Sequence, residues 1–184
     1  MFQTPPSTTF PDVTGTALDG TEHALPDDFD APWNLLVVTF RDDLDRLADK
    51  WVLVAERIAS NAEGRLAAYE LPVVGRGFKP FKRLVNASIG AKADADEAEK
   101  ARTIPLYVGK SFQKDLGLKD EDTVHVLLVS RNGRIAWRDQ GLLTPDKVAA
   151  LEEAVGETIT DRAPDEGPPQ PRPELRDGEL EDGA

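Results

Sequence analysis

Three places in this 184-residue chain gather side chains that could do chemistry. The first is Arg41-Asp42-Asp43-Leu44-Asp45, which follows directly on the apolar run NLLVVTF. A guanidinium and three carboxylates in five residues could bind an anion, polarise a substrate or hold a hard cation. The spacing does not match a calcium-binding EF-hand loop. The competing account is helix capping and dipole matching, worth ~0.3–1 kcal/mol per charge. The second place is Arg76-Gly77-Phe78-Lys79-Pro80-Phe81-Lys82-Arg83, with four cations and two aromatics. Such a patch suits docking to an acidic partner, an anion or a membrane surface. Its competing account is a helix with Phe81 in the core and Arg76, Lys79, Lys82 and Arg83 merely solvated. The third is His125 within VHVLL. An acid/base role needs a partner that the neighbouring sequence does not supply, so a buried or groove-lining strand position is expected. His23, the other histidine, reads as a surface residue.

What is missing narrows the chemistry further. There is no cysteine, which removes disulfides, thiol catalysis, zinc–thiolate sites and iron–sulfur clusters. No cofactor, metal or catalytic residue is assigned. The formal charge is −12, from 22 basic and 34 acidic residues. A field of that sign repels nucleic acid and anionic membranes, and it serves solubility or salt adaptation. The basic patch therefore runs against the whole molecule, which favours a protein partner for it, with peripheral contact to a membrane complex as one setting. No window has the roughly 18 consecutive apolar residues of a membrane span. The first residues show no basic, apolar leader, so a cytoplasmic protein is expected.

The elements that must position these groups follow from the hydrophobic pattern. Residues 1–9 are rich in Pro, Ser and Thr and read as a flexible N-terminus. Residues 10–25 carry turn signals at Thr14-Gly15 and Asp19-Gly20 and read as a hairpin. Residues 34–40 form a short β-branched run, a buried strand. A helix then opens at Arg41-Asp42-Asp43, with Leu44, Leu47, Ala48, Trp51, Ala55 and Ile58 at helical spacing. Residues 66–74 suggest a third strand, and Pro80 starts another helix with Phe81, Leu84, Val85, Ser88 and Ile89 on one face. Residues 91–102 are a polar helical or mobile excursion, and residues 103–108 a possible edge strand. Residues 111–118 give a short helix with Ser111 as N-cap and Gly117 near its end. Residues 124–129 are apolar on both faces, as in a central strand, and Asn132-Gly133 suggests a type I′ hairpin turn into a strand ending at Trp137. Thr144-Pro145 starts a last helix with Val148, Leu151, Val155 and Ile159 inward. Trp33, Trp51 and Trp137 are expected in the core or at its rim. Residues 161–184 hold eight acidic and three basic residues with five prolines, a disordered acidic tail that solubilises the chain or masks the basic patch. Residues 10–160 are left as one domain.

This element order predicts an α/β fold, a three-layer α/β/α sandwich with a mixed central sheet and an N-terminal β-hairpin. It resembles the thioredoxin-like superfamily, in the form with a hairpin extension. In that superfamily a cysteine sits where NLLVVTF ends, at a helix N-terminus that favours thiolate, and a cis-proline precedes the central strand. Here Phe40-Arg41-Asp42-Asp43 and Asp122-Thr123-Val124 stand in those places. Leu128, Val129, Gly133, Arg134, Ile135, Trp137, Gly141 and Leu151 are similar to the mitochondrial ATP synthase assembly factor family, although Ala136 interrupts its Ile-Arg-Trp order. That resemblance implies chaperone-like binding of a membrane subunit rather than catalysis. The function expected is a redox-inactive, protein-binding module of chaperone or assembly-factor type. The alternatives are a redoxin-derived enzyme using His125 or the Asp42/Asp43 pair, and a small-molecule or anion binder at the Arg41 junction.

Overall fold

The computed structural model describes residues 8–75, 77, 87, 89 and 96–160. Of the helix expected from Pro80 only Ala87 and Ile89 are described, both helical; Arg76, Phe78, Lys79, Lys82, Arg83 and the tail from Asp161 lie outside the described residues. Seven strands are present among the described residues: β1 (Val13–Thr16), β2 (Glu22–Leu25), β3 (Trp33–Thr39), β4 (Leu66–Gly75), β5 (Leu106–Val108), β6 (His125–Ser130) and β7 (Ile135–Gln140). Four helices are bounded within the described residues, α1 (Asp45–Ser60), α2 (Glu97–Arg102), α3 (Lys110–Leu116) and α4 (Pro145–Thr160), with a 3-10 turn at Asp42–Leu44.

β1 and β2 form an antiparallel ribbon; the other five strands form one sheet in the order β5-β4-β3-β6-β7. β3 runs parallel to β4 and β4 to β5, whereas β6 is antiparallel to both β3 and β7. Every residue of β3 and of β6 is buried. Their unbroken apolar runs need cover on both faces, and the molecule provides it. One face packs Leu35, Val37, Val126 and Leu128 against Ala48, Trp51 and Ala55 of α1 and Leu151 and Val155 of α4. The other packs Leu36, Val38, Leu127 and Val129 against Phe10, the β1–β2 ribbon, Phe29 and Phe112 and Leu116 of α3. The three expected layers are all there.

The N-terminal ribbon fits the sheet edge through a glycine. A Cβ on Gly15 would stand 2.5 Å from Ile104 Cγ2 and 2.8 Å from Leu106 Cδ2. Thr14-Gly15, read as a turn signal, lies inside β1; the turn is at Asp19-Gly20, where Gly20 has φ +95°. Gly15 is there for close approach, not for reversal. Thr8 and Thr9, placed in the N-terminal extension by composition, meet the start of β7, with Ile135 N donating to Thr8 O at 2.7 Å.

Two local expectations are corrected. The β6–β7 turn is not type I′, because Gly133 alone has positive φ (+85°) and Asn132 does not. Gly133 N donates to Ser130 O at 2.9 Å and Ser130 N to Arg134 O at 2.9 Å, the pattern of a type I turn followed by a left-handed glycine. Asn132 avoids the left-handed region because its Oδ1 accepts from Ser130 Oγ and from Arg134 N. The N-cap of α3 is Gly109, not Ser111, and no side chain caps that end. Gly117 does close α3, at φ +70°.

A register shift between Leu128 and Val129 skips Ala136, pairing Leu128 with Trp137 and Val129 with Ile135. The side-chain period of a strand is two, so residues 135 and 137 would ordinarily share a face. With the bulge, Ile135 packs on the ribbon side and Trp137 on the α1 side. Ala136 is the extra residue that makes this exchange possible.

Candidate functional site

β3 hands the chain to α1 across Phe40-Arg41 and the 3-10 turn. β6 starts at the same end of the sheet, with His125 opposite Val38. The topology thus brings the Arg41 junction beside residues 119–124, two segments far apart in sequence. A charged tie joins them. Arg41 Nε and Nη2 donate to Asp43 Oδ1 and Oδ2 at 3.0 and 2.9 Å, a bidentate pair. Arg41 Nη1 donates to Asp122 Oδ1. The hydrogen bonds that Arg41 donates to Asp43, then to Asp122, raise the guanidinium's already high pKa. The three side chains are 51%, 64% and 73% exposed, so water screens the tie and its role is geometric rather than energetic. Its donors already face two carboxylates, which an incoming anion would have to displace.

Asp42 sits in the 3-10 turn with Asp43. The structure brings Arg41 and Asp43 together and recruits Asp122, which sequence reasoning placed at the former cis-proline position but not at a site. The signal was available there, as an acidic loop just before the central strand. The cis bond found among the described residues is Leu25-Pro26, at the end of β2.

His125 lies 2% exposed under this surface. Its Nε2 meets the Asp120 carbonyl at 2.6 Å; a carbonyl only accepts, so Nε2 carries the proton and donates. Phe40 stands edge-on to its ring at 5.9 Å. Burial lowers its pKa below the ordinary 6.5, partly opposed by the Asp120 carbonyl. A neutral ring fixed to backbone is a structural histidine, in keeping with the strand reading.

A second cluster escaped sequence reasoning. On the α1 side of β4 a cavity of about 10 Å³ lies among Val37, Ala55, Glu56, Glu70, Glu99 and Arg102, room for about one water molecule. Glu70 sits between Tyr69 and Leu71, whose side chains take the opposite face. Burial pushes its carboxyl up to about 7, and the charges of Asp49, Asp45, Glu99 and Glu56 add to the effect. Burial raises Glu56 and Asp49 as well. The signal in the sequence was a lone acid inside LAAYELPVV. Tyr69, on the other face, accepts from Asp30 N at 3.1 Å and is pushed up to about 12 by burial.

At the far side of the junction, Gly141 is a meeting point. Trp51 Nε1 donates to its carbonyl at 2.8 Å, and its N–H donates to Val124 O at 2.8 Å. Lys147 of α4 pairs with Asp139 at 3.0 Å and donates to Gln140 O. Trp33 and Trp51 are buried and Trp137 is partly buried against the core, as expected. Among the described residues no group of three or more His, Asp or Glu is placed to hold a metal ion, and no helix is long and apolar enough to cross a membrane.

No protein-family model matches the chain, and no curated protein matches it in sequence. Solved structures do. The thioredoxin domain of a thiol-disulfide oxidoreductase from Bacteroides vulgatus superposes with a TM-score of 0.59 at 15% identity, over 85% of this chain and 99% of that one. A thiol:disulfide interchange protein from a Bacteroides species gives 0.53 at 17% identity, over 86% and 92%. BsSco, a member of the Sco family of cytochrome c oxidase assembly proteins, gives 0.60 at 10% identity, over 88% and 99%. Identities this low speak to architecture alone. The chain has the thioredoxin-like fold, and it has no cysteine with which to run the thiol–disulfide chemistry of such neighbours.

Proposed function

We propose that this chain is a redox-inactive, thioredoxin-like binding module for a protein partner, of chaperone or assembly-factor type. The observation that carries the reading is the Arg41–Asp43–Asp122 tie. At the end of β3, where a redoxin would place a thiol, this chain places a charged, solvent-facing bridge between two segments. Such a bridge holds the rim of the sheet in one shape and leaves its charges available for recognition, which costs a partner less ordering on binding. The chain also leaves β4 at Gly75 at this same end, because β4 runs parallel to β3. The basic-aromatic segment at residues 76–83 follows Gly75 in sequence, and Arg76, Phe78, Lys79, Lys82 and Arg83 join the Arg41 junction as the residues proposed to bind the partner. Ligands of open α/β sheets characteristically bind outside the carboxyl ends of the strands, the end at which the Arg41 junction lies. That the same fold serves a cytochrome c oxidase assembly protein adds support to the assembly reading. A cytoplasmic setting belongs to this reading.

The test is recovery of partners on the tagged full chain, identified by mass spectrometry. Lys79→Glu, Lys82→Glu and Arg83→Glu together should abolish recovery of the partner set, and Arg41→Glu should reduce it. Unchanged recovery by both variants would remove the proposed face. Turnover in peroxidase or hydrolase panels that disappears in Asp42→Asn would replace the binding reading with an enzyme.

A further inference from the structure

Glu70 is placed where its charge can act on the backbone. Its carbonyl accepts from Ile104 N at 2.9 Å, and the residue bridges Thr103 in parallel. Those contacts fasten the end of α2 to β4 just ahead of β5. α2 is six residues long, and none of them is fully buried. Helices this short are marginal without tertiary support; α2 is held by the seam at Glu70 and by Leu18 N, which donates to the carbonyls of Lys100 and Thr103 at 3.0 Å.

The side chain faces the cavity on the α1 side of the sheet, and acids surround it. α1 contributes Asp45, Asp49 and Glu56, and α2 contributes Glu99 with its N-cap Asp96 nearby. The cation lining the cavity is Arg102, whose Nη1 also lies 3.5 Å from the Ala68 carbonyl. β3 supplies Val37 to the cavity, an uncharged wall. Among the described residues no ion pair holds the Glu70 carboxylate. Ionising Glu70 therefore places a further negative charge in a half-buried space whose walls already repel it.

We propose that Glu70 is a proton-operated latch: protonated, it lets α1 and α2 close over β4, and ionised, it loosens α2 and the β4–β5 seam. The direction follows from linkage. A carboxyl held above its ordinary value stabilises the fold fully below about 4.5, and that contribution is lost as pH rises toward about 7. The device thus tightens in mild acid and relaxes near neutrality, across the range where few other side chains titrate. This inference is independent of the partner face at the β3 junction.

Amide exchange on the full chain, corrected for intrinsic rates, tests it at Ile104, Thr103 and Lys100. Protection at these amides should fall on the order of tenfold between pH 5 and pH 8. In Glu70→Gln it should stay flat and near the acid value, and in Arg102→Met the wild-type fall should deepen. The thermal midpoint gives a second measure. Glu70→Gln should exceed wild type at pH 8, and the gap should close toward pH 5. Protection that falls equally in wild type and Glu70→Gln, or a thermal gap independent of pH, would overturn the latch.

Discussion

Arg41 exchanges one kind of chemistry for another. At the end of a buried strand and the start of a helix, a thiol would gain acidity from the backbone dipole; a guanidinium there gains nothing from it. Arg41 instead turns to Asp43 and to Asp122 across the sheet end. Because the pair is exposed, Arg41→Ala should leave the urea midpoint within error of wild type while amide exchange in residues 119–124 accelerates; an unchanged exchange pattern would show that the tie holds nothing. His125 gives a prediction of the opposite pH sign to Glu70. Its pKa is lowered in the fold, so its contribution is complete above about 6.5 and is lost as pH falls through the lower folded value. The urea midpoint of wild type should drop relative to His125→Gln between pH 7 and pH 5, with Glu70 common to both chains. A constant difference would mean the ring is not held neutral. The acidic loop at residues 120–122 was visible in the sequence, but its link to Arg41 spans the chain and forms only when β3 and β6 pair, whereas the Asp120 carbonyl reaches His125 from five residues upstream.

At the scale of the elements, two glycines carry the fit. Gly15 lets β1 approach Ile104 and Leu106. Gly15→Val should cost about 1–3 kcal/mol by overpacking, with exchange rising first in the β1–β2 ribbon; a neutral effect would mean the ribbon rides clear of the edge. Gly141 has φ +90° where Trp51, Val124 and Lys147 converge. Gly141→Ala should cost about 1–2 kcal/mol from backbone strain, measured by denaturant titration at constant m-value. Pattern made most of these elements legible. The apolar runs of β3 and β6, the helical spacing in α1 and α4 and the closing Gly117 all follow from local chemistry. The turn type at Asn132-Gly133 did not, since Asn132 could satisfy its side chain without a left-handed backbone. Gly15 was misread for a related reason: glycine signals both reversal and close contact, and the contact is with residues ninety positions away.

For the whole molecule, the layers were legible because two fully apolar strands demand cover on both faces, and the order of helices and strands leaves few ways to give it. The function was less legible. Sequence shows that no thiol is present for the fold's usual chemistry, but the proposed partner site draws on the Arg41–Asp122 tie, which exists only once β3 and β6 pair. Glu70 was visible only as an odd acid in an apolar strand, and its neighbours come from α1 and α2. The acidic tail belongs to this scale as well. A chain ending at Asp161 should keep the full-length thermal midpoint, since the segment's composition offers little to bury; a lower midpoint would show that it packs on the domain.

Whether this fold binds a partner in place of thiol chemistry is decided by recovery of proteins on the tagged full chain. Wild type should retain a defined set of proteins that the Lys79→Glu, Lys82→Glu, Arg83→Glu variant loses at an unchanged melting temperature. An identical set on both chains, with the variant folded, would rule out the basic segment as the binding site.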